Sequence, residues 1–200
     1  MHEYDLIADW YSNERIDQTG VPEASALSAT LSPASLVLDV GCGNGVPITR
    51  ALLDAGHHIV GLDSSAAMLD RFRGNLPRTP AVRAIVEYAP FADASFDAAI
   101  AWGMLFHLTV ERQRRAIEEV SRVLRPRAPF LFTAGDVVDD SDHIGIMNGV
   151  EFHYYSFTTE GYRRVLVEHG LHLVDFHKDK GENGYYLAAK GDAAWTRQSN

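Results

Sequence analysis

Of everything in this sequence, the run Leu36-Val37-Leu38-Asp39-Val40-Gly41-Cys42-Gly43-Asn44-Gly45 leaves the fold the least freedom. An apolar stretch ends in an acid, glycine then recurs at every second position, and a helical pattern starts at Val46. Such a pattern predicts a buried strand that turns tightly into a helix. Glycine accepts positive φ and lets a ligand lie directly on the backbone, and the first N–H groups of a following helix face any anion held in the turn. Dinucleotide binders use G-x-G-x-x-G, with the third glycine three residues after the second. Here Gly45 follows Gly43 by two and Val46 holds the dinucleotide position, which disfavours NAD and ranks an oxidoreductase third among the readings. A purely structural strand-to-helix turn is the alternative that the rest of the chain has to outweigh.

The chain of 200 residues, 46% apolar and 22% charged, suits one soluble domain that buries roughly 70% of its unfolded surface. A formal net charge of -9 argues against a nucleic-acid partner, whose phosphates demand Lys and Arg. Arg112, Arg114, Arg115 and Arg122 share a helical segment with Glu111, Glu118 and Glu119 and read, with Arg125 and Arg127 just beyond it, as a solvated face. The lone Cys42 has no disulfide partner, and Met1-His2-Glu3-Tyr4-Asp5 is neither basic nor apolar enough for a signal peptide. With no run near the ~20 apolar residues of a membrane span, a cytoplasmic protein with no membrane partner is expected.

Helical spacing of Leu6, Ile7, Trp10 and Tyr11, and Pro22 placed for a first turn, predict two helices within residues 1–35. After the glycine turn, Ile48, Ala51, Leu52 and Ala55 form an apolar stripe closed by Gly56. A second strand from His58 ends at Asp63, and Ser64 or Ser65 caps the next helix, which runs through Met68, Leu69 and Phe72. Further strands are expected from Ala81 to about Val86, Phe96 to Trp102 and Phe130 to Ala134, with a helix from Thr109 to Leu124. Residues 135–156 are expected to be irregular, Thr158 to about Gly170 helical, and Leu171 to His177 and Gly184 to Ala189 to be two strands. The short link between those two makes them antiparallel neighbours, since a parallel crossover needs a dozen or more residues. The α/β alternation predicts a mostly parallel sheet covered on both faces, and residues 191–200 read as a polar tail.

Asp39-Val40-Gly41-Cys42-Gly43-Asn44-Gly45 resembles the D-x-G-x-G-x-G signature of class I S-adenosylmethionine-dependent methyltransferases, and the resemblance extends from about Tyr4 to Lys190. It implies a Rossmann-like three-layer αβα sandwich whose mostly parallel seven-stranded sheet has one antiparallel strand near the C-terminus. It implies one methyltransferase domain over residues 1–190, with 1–35 as a helical cap over the cofactor. The cofactor is expected to be S-adenosyl-L-methionine, with S-adenosyl-L-homocysteine as product. The cofactor-contacting positions it implies are Tyr11, Asp39, Gly41, Cys42, Gly43, Gly45, Asp63, Ser64, Met68, Glu87, Trp102 and Gly103. Asp39 would help hold the methionine ammonium. Asp63, at the carboxyl end of its strand, would accept hydrogen bonds from both ribose hydroxyls, although a plain helix N-terminal acid fits the same position. Tyr11 reads equally well as a core aromatic. Tyr88-Ala89-Pro90-Phe91-Ala92-Asp93-Ala94-Ser95-Phe96-Asp97 resembles the family's L-P-F-x-D-x-S-F-D run, with Asp93 and Asp97 as turn residues. The place where many members carry an acid for the adenine amino group falls on Ile85, so Glu87, backbone groups or apolar walls are left for that task.

Trp102, Gly103 and Met104 correspond to the segment under the reacting methyl. His107 is a candidate base, and equally a packing or helix-entry residue. Residues 135–156 hold His143, Met147, His153, Tyr154 and Tyr155, and a loop this long in a compact domain is more often a binding loop than filler; His153 is the second base candidate, and His143, Met147 and Tyr154 join Met104 as acceptor contacts. No Asn-Pro-Pro-Tyr-like or Asp-Pro-Pro-Tyr-like motif is present, and Cys42 is misplaced for cytosine-ring methylation, so a small-molecule methyl acceptor is expected, with the protein a monomer or homodimer. The nine histidines form no H-x-x-x-H or clustered ligand set, and no metal is expected. The rival from another class is a relative of this fold that binds the cofactor or a partner without transferring methyl.

Overall fold

A computed structural model describes residues 3–14, 18–135, 143–178 and 184–191. Two helices, α1 (Glu3–Glu14) and α2 (Val21–Ser28), precede β1 (Leu36–Val40). Then come α3 (Ile48–Asp54), β2 (His58–Asp63), α4 (Ala66–Asn75), β3 (Ala81–Arg83), β4 (Ala98–Ala101), α5 (Val110–Val123) and β5 (Pro129–Ala134). A hairpin of β6 (His143–Met147) and β7 (Val150–Tyr154) follows, then α6 (Thr159–Glu168), β8 (Leu171–Lys178) and β9 (Gly184–Lys190). Seven strands form one sheet in the order β3-β2-β1-β4-β5-β9-β8. β1 pairs in parallel with β2 and β4, β2 with β3, and β4 with β5, whereas β9 runs antiparallel to both β5 and β8.

The continuous apolar runs of β1 and β4 follow from burial on both sides. Successive side chains point to opposite faces, so Leu38, Val40, Ala99 and Ala101 enter one core with Ala116, Ile117 and Val120 of α5 and Tyr162, Val165 and Leu166 of α6. Val37, Ala98 and Ile100 enter the other, against Ala24 and Leu27 of α2 and Ile48 and Leu52 of α3. On that side Phe72 of α4 packs so closely over Gly61 that a Cβ there would lie 3.1 Å from its ring. The result is the expected three-layer αβα sandwich. No helix among the described residues is long and apolar enough to cross a membrane.

Several boundaries differ from expectation, each for a local reason. Residues 135–156 are not irregular throughout: Asn148 and Gly149 both take positive φ, 46° and 77°, and turn His143–Met147 back onto Val150–Tyr154. Asn-Gly between alternating residues is a strong two-residue hairpin signal. The third strand stops at Arg83, and Val86–Tyr88 is a 3-10 turn. Phe96 makes an isolated bridge to Leu124 rather than joining β4. In α1 the buried residues are Ile7 and Ala8, while Leu6 and Trp10 are 57% and 36% exposed. The expected stripe on α3 is narrower, with Ile48, Thr49 and Leu52 buried. The β8–β9 link, 179–183, and the tail beyond residue 191 lie outside the described residues, as does 136–142 of the expected binding loop.

Candidate active site

The carboxyl ends of β1, β2 and β4 open into a cleft of about 250 Å³, roofed by α1 and the β6–β7 hairpin. Of the residues singled out from the sequence, Tyr11, Gly41, Gly43, Asp63, Ser64, Met68, Glu87, Trp102, Gly103, Met104, His107 and His153 line it. Asp39, Cys42 and Gly45 line a smaller recess that shares Tyr11, Gly41, Gly43 and Trp102 with the cleft. His143, Met147 and Tyr154 line neither cavity; the Tyr154 ring lies 4.9 Å from that of His107.

The three glycines of the turn all have positive φ, but for different reasons. A Cβ on Gly41 would stand 2.6 Å from Met104 Cβ, and one on Gly45 would stand 2.5 Å from Leu76 and 2.8 Å from Phe72. These two permit tight packing. A Cβ on Gly43 would meet nothing within 4 Å, so Gly43 is the glycine that faces the open cleft. The glycine amides of this turn already have partners within the protein. Gly41 N and Cys42 N both donate to Leu62 O, at 2.7 and 3.1 Å, and Gly45 N donates to Cys42 O at 2.9 Å. Gly43 N donates to Asp63 Oδ2 at 2.9 Å. The other carboxylate oxygen, Oδ1, accepts from Ser65 N at 2.8 Å. Asp63 thus holds the turn and the start of α4 together.

Asp39 is buried beneath the turn and accepts a short hydrogen bond from Thr49 Oγ1. Burial pushes its carboxyl up to about 7, against the lowering effect of the Thr49 bond and with a further upward push from Asp63. Burial, then Asp39 and Asp63, also holds the Cys42 thiol well above its ordinary range. Cys42 packs with Leu69, Phe72 and Leu76.

At the other side of Asp63 the cleft wall is Ala84, Ile85, Val86 and Glu87. The Glu87 side chain is only 5% exposed. Its Oε1 accepts from Arg112 Nε at 2.5 Å, whereas Oε2 is buried with no hydrogen-bond partner. A buried carboxylate oxygen left so costs about 1–3 kcal/mol or more unless a donor arrives. The sequence places Arg112 on a solvated helix face. That reading fits Arg114 and Arg115, which pair with Glu168 and Glu111, but Arg112 turns into the cleft wall.

The far end of the cleft is aromatic. Tyr4 touches Tyr11, His107 and Phe152 edge-on at ring separations of 5.3, 5.4 and 5.1 Å, and its hydroxyl lies 2.9 Å from His107 Nε2. Helix α1 is fixed there because Asp5 accepts from Ser65 Oγ at 2.5 Å and Ala67 N at 3.1 Å, capping α4 from outside. Trp102 packs on Tyr185 at 5.1 Å and so close to Gly20 that a Cβ there would overlap its ring. Sequence reasoning missed Phe152 and Arg112. The alternation around Asn148-Gly149 carried the signal for Phe152; nothing local distinguished Arg112 from its exposed neighbours. Among the described residues no group of three or more His, Cys, Asp and Glu could hold a metal ion.

Residues 37–127 match a family model described as a methyltransferase domain. An uncharacterized protein of Methanocaldococcus jannaschii is 35% identical over 120 residues, 60% of this chain and 44% of that protein. An uncharacterized methyltransferase of Synechocystis sp. is 35% identical over 100 residues, 50% of this chain and 47% of its own length. The chain thus spans about half the length of these curated relatives. In fold, the chain resembles the Burkholderia thailandensis 1,6-didemethyltoxoflavin-N1-methyltransferase, solved with 1,6-didemethyltoxoflavin and S-adenosylhomocysteine. The TM-score is 0.73 at 21% identity, over 95% of this chain and 87% of that one.

Proposed function

We propose that this chain, which carries a methyltransferase domain of the class I S-adenosylmethionine-dependent family, moves the methyl of that cofactor to a small-molecule acceptor and leaves S-adenosylhomocysteine. The observation that carries the reading is the composition of the cleft wall: Gly43 opens onto it beside Asp63, and a second acid, Glu87, lines the same cleft. The amides at the turn are already engaged, and the cation lining the cleft, Arg112, is tied to Glu87. Such a site offers acceptors for hydroxyls and amines and few donors for phosphates. An aminoacyl nucleoside fits it better than a dinucleotide.

In this reading Asp63 takes the ribose hydroxyls and Glu87 Oε2 takes the adenine amino group, with Ile85 and Met68 against the base. Asp39, Gly41, Cys42, Gly45, Ser64 and Tyr11 surround the aminoacyl end, where an ammonium would favour the ionised form of Asp39. Trp102 and Gly103 wall the reacting methyl, and Met104 and His153 border the acceptor. When bound, the cofactor supplies a methyl already activated on a sulfonium, so these residues have only to align the nucleophile, and positioning alone can supply ~7–11 kcal/mol. Residues 1–190 act as one domain with α1 and α2 as its cap. The net charge of -9 disfavours a nucleic-acid acceptor.

Thermal-shift assays with S-adenosylhomocysteine and with NAD test the reading. A hundredfold excess over Kd stabilises by about 2.7 kcal/mol, which for a domain of this size raises Tm by roughly 5–11 °C. That shift is expected with S-adenosylhomocysteine and lost in Asp63→Ala. Stabilisation by NAD alone would sink the reading. Labelled-methyl transfer across a metabolite panel then separates an enzyme from a binding protein, which would give no methylated product.

A further inference from the structure

Tyr4 and His107 reach the cleft from opposite walls, 103 residues apart in the chain, and meet hydroxyl to Nε2 at 2.9 Å. Tyr11, His107 and Phe152 hold the Tyr4 ring on three sides, and the neighbouring Asp5 anchors the helix that carries it. The pair stands beside Met104, whose Cβ abuts the glycine turn at Gly41. It is therefore at the end of the cleft next to the methyl in the reading above, on which this inference rests. Nothing in the cofactor's binding uses it.

We propose that Tyr4 and His107 form a proton relay for the acceptor, and that the acceptor is a flat ring carrying an ionisable hydroxyl. The aromatic walls suit a planar ring. A hydroxyl needs its proton removed as it attacks, whereas a neutral aromatic amine attacks first and sheds an acidic proton afterwards, so a relay built into the wall points to oxygen. The acceptor's O–H proton passes to the Tyr4 oxygen as the Tyr4 proton passes to His107 Nε2. The acceptor oxygen's electron pair forms the new bond to the methyl carbon, and the carbon–sulfur pair stays on sulfur. The imidazolium returns its proton to water when the product leaves. Tyr4 touches the acceptor; His107 acts through it.

The test uses para-nitrophenol, whose phenolate absorbs visible light, added to the full chain saturated with S-adenosylhomocysteine at a pH where the free phenol is mostly protonated. The expected result is a phenolate band on binding that disappears in Tyr4→Phe and in His107→Gln, while both variants keep their S-adenosylhomocysteine affinity. Imidazole nitrogen NMR is expected to show Nε2 without a proton in the resting protein. Under S-adenosylmethionine the band is expected to fade as the ether forms, about a hundredfold more slowly in Tyr4→Phe. A phenol that fails to bind, or a band of equal strength in both variants, overturns the relay. Loss of S-adenosylhomocysteine binding by the unaltered protein would instead overturn the cofactor reading.

Discussion

At the glycine turn, neighbours in space are held through main-chain amides: Gly41 N and Cys42 N donate to Leu62 O, Gly45 N to Cys42 O and Gly43 N to the Asp63 carboxylate, at 2.7–3.1 Å. At the aromatic end, Tyr4, His107 and Phe152 come from three separate parts of the chain and meet through side chains alone. The first region has almost no room for substitution, because its shape is backbone shape. The second can change its rings one at a time while the sheet beneath stays as it is. Under the proposed function, the first region serves the cofactor and the second the acceptor.

The contrast breaks most visibly under Gly45→Ala. The new Cβ would strike Leu76 and Phe72 at a φ of 79°, and overpacking with left-handed strain is expected to cost about 2–4 kcal/mol in chemical denaturation. Gly43→Ala, with no neighbour within 4 Å, is expected to cost about 1 kcal/mol yet weaken S-adenosylhomocysteine more than Gly45→Ala does per unit of stability lost. Equal losses of affinity at the two positions would erase the distinction between packing and ligand-facing glycines.

A second, smaller effect is pH-dependent and has opposite signs for folding and binding. Asp39 rises from 3.8 to about 7 in the folded protein, so its contribution to stability is full below 3.8 and is lost as pH climbs through about 7. An ammonium ligand favours the carboxylate, so S-adenosylhomocysteine affinity is expected to rise with pH and level off above about 7, by up to about tenfold per pH unit below it. Calorimetric titration across that window checks this, and Asp39→Asn, which still accepts from Thr49, should flatten both trends. The smallest effect belongs to the outer face of the hairpin: Ile146, 75% exposed, is expected to tolerate Lys within about 0.5 kcal/mol with unchanged cofactor affinity.

The sheet was legible because its signals are local. The run Leu36–Val40, Asp63 at a strand end, Gly56 after a helix and Pro22 at a helix start each encode their conformation within a few residues. All twelve expected cofactor positions, which the family resemblance implies, line one of two adjoining cavities. What escaped depends on tertiary partners. No spacing rule could show that Leu62 and Asp63 take up the amides of the turn, or that Arg112 bends toward Glu87 while Arg114 and Arg115 stay outside. The hairpin is a different failure. Asn148-Gly149 encodes the turn, but the flanking strands are mostly exposed and carry little of the continuous apolar run that marks a buried strand.

The placement of β9 sets a condition on how this protein is made. It follows β8 in the chain but inserts between β5 and β8, so until residue 184 has left the ribosome the outer border of β5 has no mate. A nascent or prematurely terminated chain ending before that point presents bare amides and carbonyls to any passing strand, which invites aggregation. Once β9 is in place that border of β5 is covered, and the sheet's edges are the terminal strands β3 and β8.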